Sequence, residues 1–287
     1  MTTRLPHTNP LLSALSCYLV VLPASFLYER GGFLLWLTCY NSNMSEIKKA
    51  AKLLKQAGYA VAFTGAGVSV ESGIAPFTGA GGLWNQYDPK FIEINFFYAH
   101  PKESWAEMKK IFFTDMDEAA PNAAHHVLAQ LEQKGLLKGV ITQNIDGLHQ
   151  KAGSKNVQEF HGTIKTLSCV SCGRKYGLEN VNLDEVPPRC FCGGLLKPDF
   201  VFYGEGIPPK AYQNSQEMAE NADVMLVVGT AGQVMPACSL PLLAKQFGAQ
   251  IIEVNPQPSA FTGSITDLYY PMKATEFFTA LAREMKL

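Results

Sequence analysis

Four cysteines in the chain are spaced as the ligands of a metal ion. Two residues separate Cys169 from Cys172, seventeen residues follow, and one residue separates Cys190 from Cys192. Four thiolates in two close pairs are the usual ligand set of a structural zinc site with tetrahedral geometry. The sequence therefore predicts a small module supported by zinc, and a set of four free thiols is the alternative.

Polar residues stand directly after three short apolar segments, each typical of a strand buried in a parallel sheet. Ligands in such sheets bind outside the carboxyl ends of the strands, so these polar residues are expected to share one cleft. Hydrogen-bond networks within buried loops are the alternative explanation. The residues concerned are Gln143, Asn144, Ile145 and Asp146, then Gly229 and Thr230, and finally Asn255.

A glycine-rich turn follows the first predicted strand. Gly65, Ala66 and Gly67 come after the apolar residues 59–64, and Ser69 lies two residues further on. Bare glycine backbone lets a pyrophosphate approach the amides at a helix N-terminus. The spacing is not the full G-x-G-x-x-G pattern, so a simple tight turn is also compatible with it.

His161 is an isolated histidine between Phe160 and Gly162. Histidine is the side chain best matched to proton transfer near neutral pH. A hydrogen-bonded structural role is the alternative when the residue is considered by itself. Two further histidines lie in a predicted helix, where we expect His125 to make structural contacts and His126 to lie on the surface.

Composition excludes several classes of protein. The 287 residues are 47% hydrophobic and 17% charged with a net charge of −1, which is typical of a globular protein. No dense stripe of Lys and Arg is present, so direct binding of nucleic acid is not expected. Seven cysteines with four clustered favour a reducing compartment, hence the cytoplasm. Cys17, Cys39 and Cys238 are predicted to be unpaired and inert.

Residues 1–43 form an apolar extension that differs from the remainder. The apolar run of residues 11–27 is interrupted at Pro23 and lacks both a basic start and a small-residue cleavage site. A membrane anchor, a cleaved signal and translation from an upstream start remain possible interpretations. We favour the last, with Met44 as the working initiator, because an amphipathic helix is predicted directly after it. Contact with a membrane is expected only if the extension is an anchor.

Strands and helices alternate through the rest of the chain. Apolar segments at 59–64, 139–142, 224–228 and 250–254 are predicted strands, and helices are predicted after Met44, after Asn122, at 240–247 and at 276–286. This alternation favours an α/β fold with a doubly wound, Rossmann-like parallel sheet. Residues 165–198 lack this periodicity, so we expect them to form a small zinc-ribbon domain inserted into a domain spanning 44–287.

From about Met44 to its end, the chain resembles the sirtuin family of NAD-dependent protein deacylases. The resemblance is carried by ordered motifs distributed along the chain. Residues 65–74 and 81–84 resemble the nucleotide loop, 142–153 the nicotinamide pocket, 159–162 the segment of the catalytic histidine, and 197–205 with 229–237 the two segments that hold the acyl-lysine peptide.

The resemblance implies roles for individual residues. His161 would be the general base, Asn144 would orient ribose and a water, and Asp146 would hold the nicotinamide carboxamide. It implies NAD and zinc as cofactors, the zinc being structural. The NAD-binding set is Gly65, Ala66, Gly67, Ser69, Phe77, Gln143, Asn144, Ile145, Asp146, Gly229, Thr230, Asn255 and Ala274, and the substrate-binding set is Val201, Phe202, Gly204, Glu205, Gln233 and Val234.

The implied activity is NAD-dependent deacylation of protein lysines, chiefly deacetylation. The acyl oxygen attacks the nicotinamide ribose and expels nicotinamide, and hydrolysis of the resulting alkylimidate gives free lysine and O-acyl-ADP-ribose. Two alternatives remain: an ADP-ribosyltransferase or NAD glycohydrolase, and a non-catalytic module that binds NAD or ADP-ribose. The partners expected are acyl-lysine proteins.

The chain departs from the family pattern at several positions. Thr78 stands where an arginine is usual, and Ala231 stands where a serine is usual. The first change removes a cation, and the second removes a hydroxyl donor near the cofactor. A Tyr-x-x-Arg pair that selects acidic acyl groups is not evident at residues 104–113, so neutral acyl groups are expected.

Overall fold

The computed structural model describes residues 46–79, 81–113 and 119–287. The extension 1–43, with Cys17 and Cys39, and the predicted initiator Met44 lie outside this part. Residues 46–56 are helical and form α1, whose Ile47, Ala50 and Leu54 are buried on one face. Residues 47–287 form one compact unit.

Nine strands and seven further helices follow α1 in the described residues. The strands are β1 (Ala60–Thr64), β2 (Val140–Thr142), β3 (Val157–Glu159), β4 (Gly162–Cys169), β5 (Lys175–Gly177), β6 (Leu196–Phe200), β7 (Val224–Val228), β8 (Gln250–Val254) and β9 (Leu268–Tyr270). The helices are α2 (Ile94–Ala99), α3 (Pro101–Phe112), α4 (Ala123–Gln133), α5 (Leu148–Lys151), α6 (Pro209–Asn221), α7 (Ser239–Gln246) and α8 (Ala274–Met285).

Six strands form one parallel sheet in the order β3-β2-β1-β7-β8-β9. From β1 the chain adds β2 and β3 on one side of the sheet. After the inserted sheet it returns and adds β7, β8 and β9 on the other side of β1. This is the strand order of a doubly wound sheet, and the reversal between β1 and β7 leaves a crevice at the carboxyl ends of the strands. The predicted α/β fold with a doubly wound parallel sheet is confirmed.

The sheet is buried on both faces by helices. One hydrophobic cluster joins α1, α4 and α8 to residues such as Ala62 and Leu226, while the other joins α6 and α7 to residues such as Phe63 and Val227. The alternation follows from the period of a strand, in which successive side chains point to opposite faces. All five side chains of β1 and of β7 are buried, as continuous apolar runs predict for central strands.

A second sheet has the order β5-β4-β6 and is antiparallel. It begins at Gly162 and ends at Phe200, slightly outside the predicted bounds of 165 and 198. Its apolar side chains share a third hydrophobic cluster with α3 and with a 3₁₀ turn at Pro89–Ile92. Helices α2 and α3, at residues 94–112, were not predicted from the sequence, and they pack on the inserted sheet.

None of the helices in the described ranges combines the length and the apolar character needed to span a membrane.

Candidate functional site

A cavity of about 620 Å³ opens at the carboxyl ends of the strands of the parallel sheet. Residues that follow four of the strands contribute to it: Gly65 after β1, Gln143 after β2, Gly229 after β7 and Asn255 after β8. The expected shared cleft is therefore present. Its place at the β1/β7 reversal is where doubly wound sheets bind their ligands.

His161 lines this cavity between β3 and β4. Its Nδ1–H donates to the carbonyl oxygen of Gln143 at 3.1 Å, which leaves Nε2 with a lone pair. Burial lowers the pKa of the imidazole below its ordinary value, and the hydrogen bond to the Gln143 carbonyl opposes this in part. His161 is consequently a neutral base near pH 7, with its tautomer fixed by the backbone.

Asn144 and Asp146 lie in a buried polar network beneath the cavity. The hydroxyl of Ser69 donates to Oδ2 of Asp146 at 2.8 Å, and Nδ2 of Asn144 donates to Ser69 Oγ at 3.1 Å. The backbone N–H of Leu148 donates to the other Asp146 oxygen at 2.9 Å. These contacts fix both side chains before any ligand binds.

The buried carbonyl oxygen of Asn144, Oδ1, has no hydrogen-bond partner in the described structure. A buried acceptor without a partner costs about 1–3 kcal/mol, and such groups are rare. Asn144 lines the cavity, so a ligand hydroxyl or a water placed there would satisfy this atom. The residues present therefore fit a sugar-containing cofactor at this end of the cavity.

Two buried histidines support the network from below. The backbone N–H of Asn122 donates to Nδ1 of His125 at 3.3 Å, so Nε2 carries the proton toward Ser69 Oγ, 3.4 Å away. Burial lowers the pKa of His125 to about 4 and that of His149 to about 3. The structural role expected for His125 agrees with these contacts, and His126 is exposed as expected.

The glycine-rich stretch after β1 forms a tight turn, which was the alternative to a helix N-terminus. It is a short 3₁₀ turn, Ala66–Val68. The amides of Gly65 and Gly67 already donate to the carbonyls of Val228 and Gly229, at 3.0 and 2.8 Å. A Cβ on Gly67 would lie 2.6 Å from the Cα of Gly229, so glycine is required by the close approach of the two loops.

Other residues of the expected cofactor set are distributed around this turn. Thr230 accepts from Nε2 of Gln143 at 3.1 Å through its hydroxyl, and its carbonyl accepts from Nδ2 of Asn255 at 2.6 Å. Phe77 and Ile145 line the cavity, while Ser69 and Asp146 lie behind its surface. Ala274 begins α8 and packs in the hydrophobic core, and it is not among the described residues that line the cavity.

All six residues expected to bind substrate line the same cavity: Val201, Phe202, Gly204, Glu205, Gln233 and Val234. A partly buried ion pair fixes the first of the two segments. Nζ of Lys197 lies 2.8 Å from Oε2 of Glu205, and the same carboxylate oxygen accepts from the amide of Phe202 at 2.8 Å. Lys197 also donates to the carbonyl of Phe200 at 3.0 Å. The segment after β6 is thereby held in one conformation.

Sequence reasoning assigned no role to two apolar residues that line the cavity. They are Ile92, in a 3₁₀ turn, and Phe112, at the end of α3, where no motif points to a cavity. Trp84 and Phe200 also line the cavity and lie in the segments 81–84 and 197–205 that carry the family resemblance.

The four cysteines converge at one end of the inserted sheet. Their Sγ atoms all lie within 4.8 Å of one another, and two pairs, Cys169 with Cys192 and Cys172 with Cys190, are 3.6 Å apart. Zinc–sulfur bonds of about 2.3 Å in a tetrahedron place neighbouring sulfurs about 3.8 Å apart. The arrangement could hold a zinc ion, and four sulfur ligands would leave no coordination position for a reacting water.

Comparisons with known proteins agree with this geometry. The model of the Sir2 family matches residues 65–236, more than half of the chain. NAD-dependent protein deacylase 2 of Pyrobaculum aerophilum is 44% identical over 241 residues, which is 82% of this chain and 94% of that protein.

Two similar solved structures are Sir2 proteins with bound ligands. One is a Sir2 mutant with a deacetylated p53 peptide and 3′-O-acetyl ADP-ribose, at 39% identity and a TM-score of 0.80 over 83% of this chain and 98% of that one. The other is Sir2 with a p53 peptide and NAD+, at 39% identity and a TM-score of 0.77 over the same shares. Fold, cavity and similarity agree, and the chain belongs to the Sir2 family, the sirtuins.

Proposed function

We propose that the protein removes acyl groups from lysine side chains of other proteins in a reaction that consumes NAD. One observation carries the proposal: the neutral base His161, the unsatisfied Oδ1 of Asn144 and both expected substrate segments line one cavity. The relatives named as NAD-dependent deacylases and the Sir2 structure with peptide and NAD+ support the same activity.

The overall reaction balances with water. The bond between the lysine nitrogen and the acyl carbon breaks, the acyl group becomes bonded to a ribose oxygen, and nicotinamide leaves with the electron pair of its glycosidic bond. NAD, when bound, supplies the ribose carbon that is attacked and the hydroxyl that accepts the acyl group. Water supplies the remaining oxygen and protons, so the products are free lysine, nicotinamide and O-acyl-ADP-ribose.

The residues of the chain act by orientation and by one proton transfer. His161 takes a proton at Nε2 from a ribose hydroxyl, since Nδ1–H is engaged by Gln143. Asn144 accepts a hydrogen bond from ribose or water through Oδ1. Asp146, which is held in place by Ser69 and the Leu148 amide just behind the cavity surface, would orient the nicotinamide carboxamide of bound NAD.

Zinc has a structural role in this proposal. Its ligands Cys169, Cys172, Cys190 and Cys192 lie in the module that we assign to residues 165–198, inserted in the NAD-binding domain of 44–287. Clustered free thiols also support a cytoplasmic location for the protein. Its macromolecular partners are acyl-lysine proteins, with no direct binding of nucleic acid.

The test uses the full chain with NAD and an acetyl-lysine peptide, following nicotinamide and peptide mass together. Equal release of nicotinamide and deacetylated peptide is the expected result. Release of nicotinamide without deacetylation would indicate an ADP-ribosyltransferase or NAD glycohydrolase. This is the second candidate function because Thr78 and Ala231 replace the arginine and the serine that are usual in the family. Tight NAD binding without either product would indicate a binding module.

A further inference from the structure

The turn between β8 and β9 is attached to a buried carboxyl group that the proposed reaction does not use. Glu253 lies in β8 and is completely buried, at 0% exposure. Both of its carboxyl oxygens accept from the hydroxyl of Thr262 at 2.9 Å, and Oε2 also accepts from the hydroxyl of Thr266 at 2.7 Å. We call residues 259–266, which contain both donors, the threonine turn.

Hydrogen bonds inside the threonine turn continue from this carboxyl group. The amide of Ser259 donates to Oγ1 of Thr262 at 2.8 Å, and the amide of Phe261 donates to Oγ of Ser259 at 3.1 Å. The Thr262 hydroxyl thus accepts from the turn and donates to β8. Because hydrogen bonds are directional whereas apolar burial is not, these contacts select one placement of the turn relative to β8.

The threonine turn also supports two parts of the cavity. The amide of Ala260 donates to the carbonyl of Ala231 at 3.1 Å, and a Cβ on Gly232 would lie 2.8 Å from a ring carbon of Phe261. The position of the turn therefore determines where these neighbouring parts of the backbone lie. The cavity-lining residues concerned are Ala231 and Gly232, which contact the turn, and Gln257 and Pro258, which directly precede it.

Stability alone does not require such a polar cluster. Apolar groups of the same shape can replace both partners of a buried hydrogen bond at almost no cost in stability. Glu253 and its two threonines are not among the described residues that line the cavity, so they act on it through the residues between them. One of these is Asn255, which lines the cavity and whose Nδ2 donates to the carbonyl of Thr230 at 2.6 Å.

We propose that Glu253 is a positioning residue for NAD, which raises the affinity of the cavity for the cofactor without contacting it. The inference rests on the proposed function, because it takes NAD as the ligand of this site. By holding the threonine turn, the carboxyl group places residues 255–258 and the backbone at 231–232 before NAD binds. A site that is already ordered binds more tightly, since no further ordering has to accompany binding.

The test measures NAD binding to the full chain by calorimetry, without peptide, so that it does not depend on turnover. The double variant Thr262→Val and Thr266→Val keeps the shape of both side chains and removes both donors. We expect its Kd for NAD to rise at least about fivefold and its KM for acetyl-lysine peptide to change by less than about twofold. Thr279→Val, at an exposed position of α8, is the matched control and should bind NAD as the wild type does.

Two variants of Glu253 separate positioning from a loss of the fold. Glu253→Gln keeps a carbonyl oxygen that accepts from the threonines, so its Kd for NAD should lie between those of the wild type and of Glu253→Leu. Thermal unfolding identifies the folded variants, and Glu253→Gln carries the test if the double variant does not fold. Wild-type affinity for NAD in the folded variants, or equal losses for NAD and peptide, would overturn the inference.

The same measurements distinguish this inference from the proposed function. A wild-type protein that binds NAD but turns over no acyl-peptide would contradict the proposed function, and the calorimetric comparison would still decide the role of Glu253. A wild-type protein with no affinity for NAD would overturn both.

Discussion

The imidazole of His161 shows how backbone geometry selects the chemistry of a side chain. The carbonyl of Gln143 accepts from Nδ1–H at 3.1 Å, so the free lone pair is at Nε2, and burial keeps the ring neutral by lowering its pKa. The sequence suggested that His161 could act as a base, but it did not show which ring nitrogen carries the proton. The tautomer depends on Gln143, which lies eighteen positions away along the chain.

Replacing His161 tests the proposed proton transfer. We expect His161→Ala to lower kcat by at least about 100-fold, since positioned general bases contribute about 10²–10⁴-fold. The exposed His126→Ala is the control and should retain wild-type turnover. Thermal unfolding of both variants establishes that the fold is intact. Turnover of a folded His161→Ala protein close to wild type would remove His161 from this role.

The lowered pKa of His161 also predicts the pH profile of the wild-type enzyme. Protonation of the free enzyme removes the base, so kcat/KM should fall at acid pH. Because the pKa is lowered, this acid limb should lie below the ordinary histidine pKa of about 6.5. Steady-state kinetics between pH 5 and pH 9 measure it. A limb centred above pH 6.5 would contradict the predicted shift.

At the scale of elements, the sequence predicted the central part of the fold and missed its edges. The segments at 224–228 and 250–254 coincide with β7 and β8, since apolar runs buried on both faces give a clear signal. The edge strands β3 and β9 have three residues each, too few for a pattern. Helix α3 was not predicted, although its buried residues Trp105, Met108 and Phe112 share one face at helical spacing.

For the site, the sequence predicted the polar residues that follow the strand ends but not all of the apolar side chains that line the cavity. Positions after strand ends were found because the topology of a doubly wound sheet brings them together. Residues such as Phe112 and Phe200 belong to the core by composition, and only the three-dimensional arrangement shows that they also face the cavity. The amides of Gly65 and Gly67 donate hydrogen bonds to the carbonyls of Val228 and Gly229, and the sequence did not show this pairing either.

The segment after β6 depends on the pair formed by Lys197 and Glu205. Burial lowers the pKa of Lys197, and the neighbouring Glu205 carboxylate opposes this shift. We expect Glu205→Gln to destabilise the protein by about 1–3 kcal/mol, because the ammonium loses a charged partner in a largely buried place. The KM for peptide should rise more than the KM for NAD. Equal changes in both constants would show that the pair does not position the peptide segment.

We expect the inserted sheet to depend on a zinc ion bound by its four cysteines. We expect Cys169→Ser to release zinc and to lower the unfolding temperature, because metal binding is coupled to folding and Cys169 belongs to the third hydrophobic cluster. Cys238→Ser alters a buried cysteine outside the cluster and should keep the zinc. Elemental analysis of the purified proteins gives the metal content. One zinc per chain in the Cys169→Ser protein would show that the four cysteines are not its ligands.

At the scale of the whole molecule, the two buried histidines link the active-site network to global stability. His125 in α4 and His149 in α5 have ring centroids 4.8 Å apart, and Nε2 of His149 lies 3.0 Å from the hydroxyl of Thr64 at the end of β1. Their pKa values of about 4 and about 3 are far below those of the unfolded chain, which are near 6.5. Between these values the unfolded state binds two protons that the native state does not.

The free energy of unfolding should therefore be independent of these groups above about pH 6.5 and should decrease as the pH falls below it. With both sites contributing, the slope approaches about 2.7 kcal/mol per pH unit. Urea unfolding between pH 7.5 and pH 5 measures the slope before most carboxylates titrate. His149→Gln should reduce the slope by about half. A wild-type slope near zero over this range would mean that the two buried imidazoles accept protons in the folded protein. That result would contradict the neutral state assigned to the two histidines beneath Asn144 and Asp146.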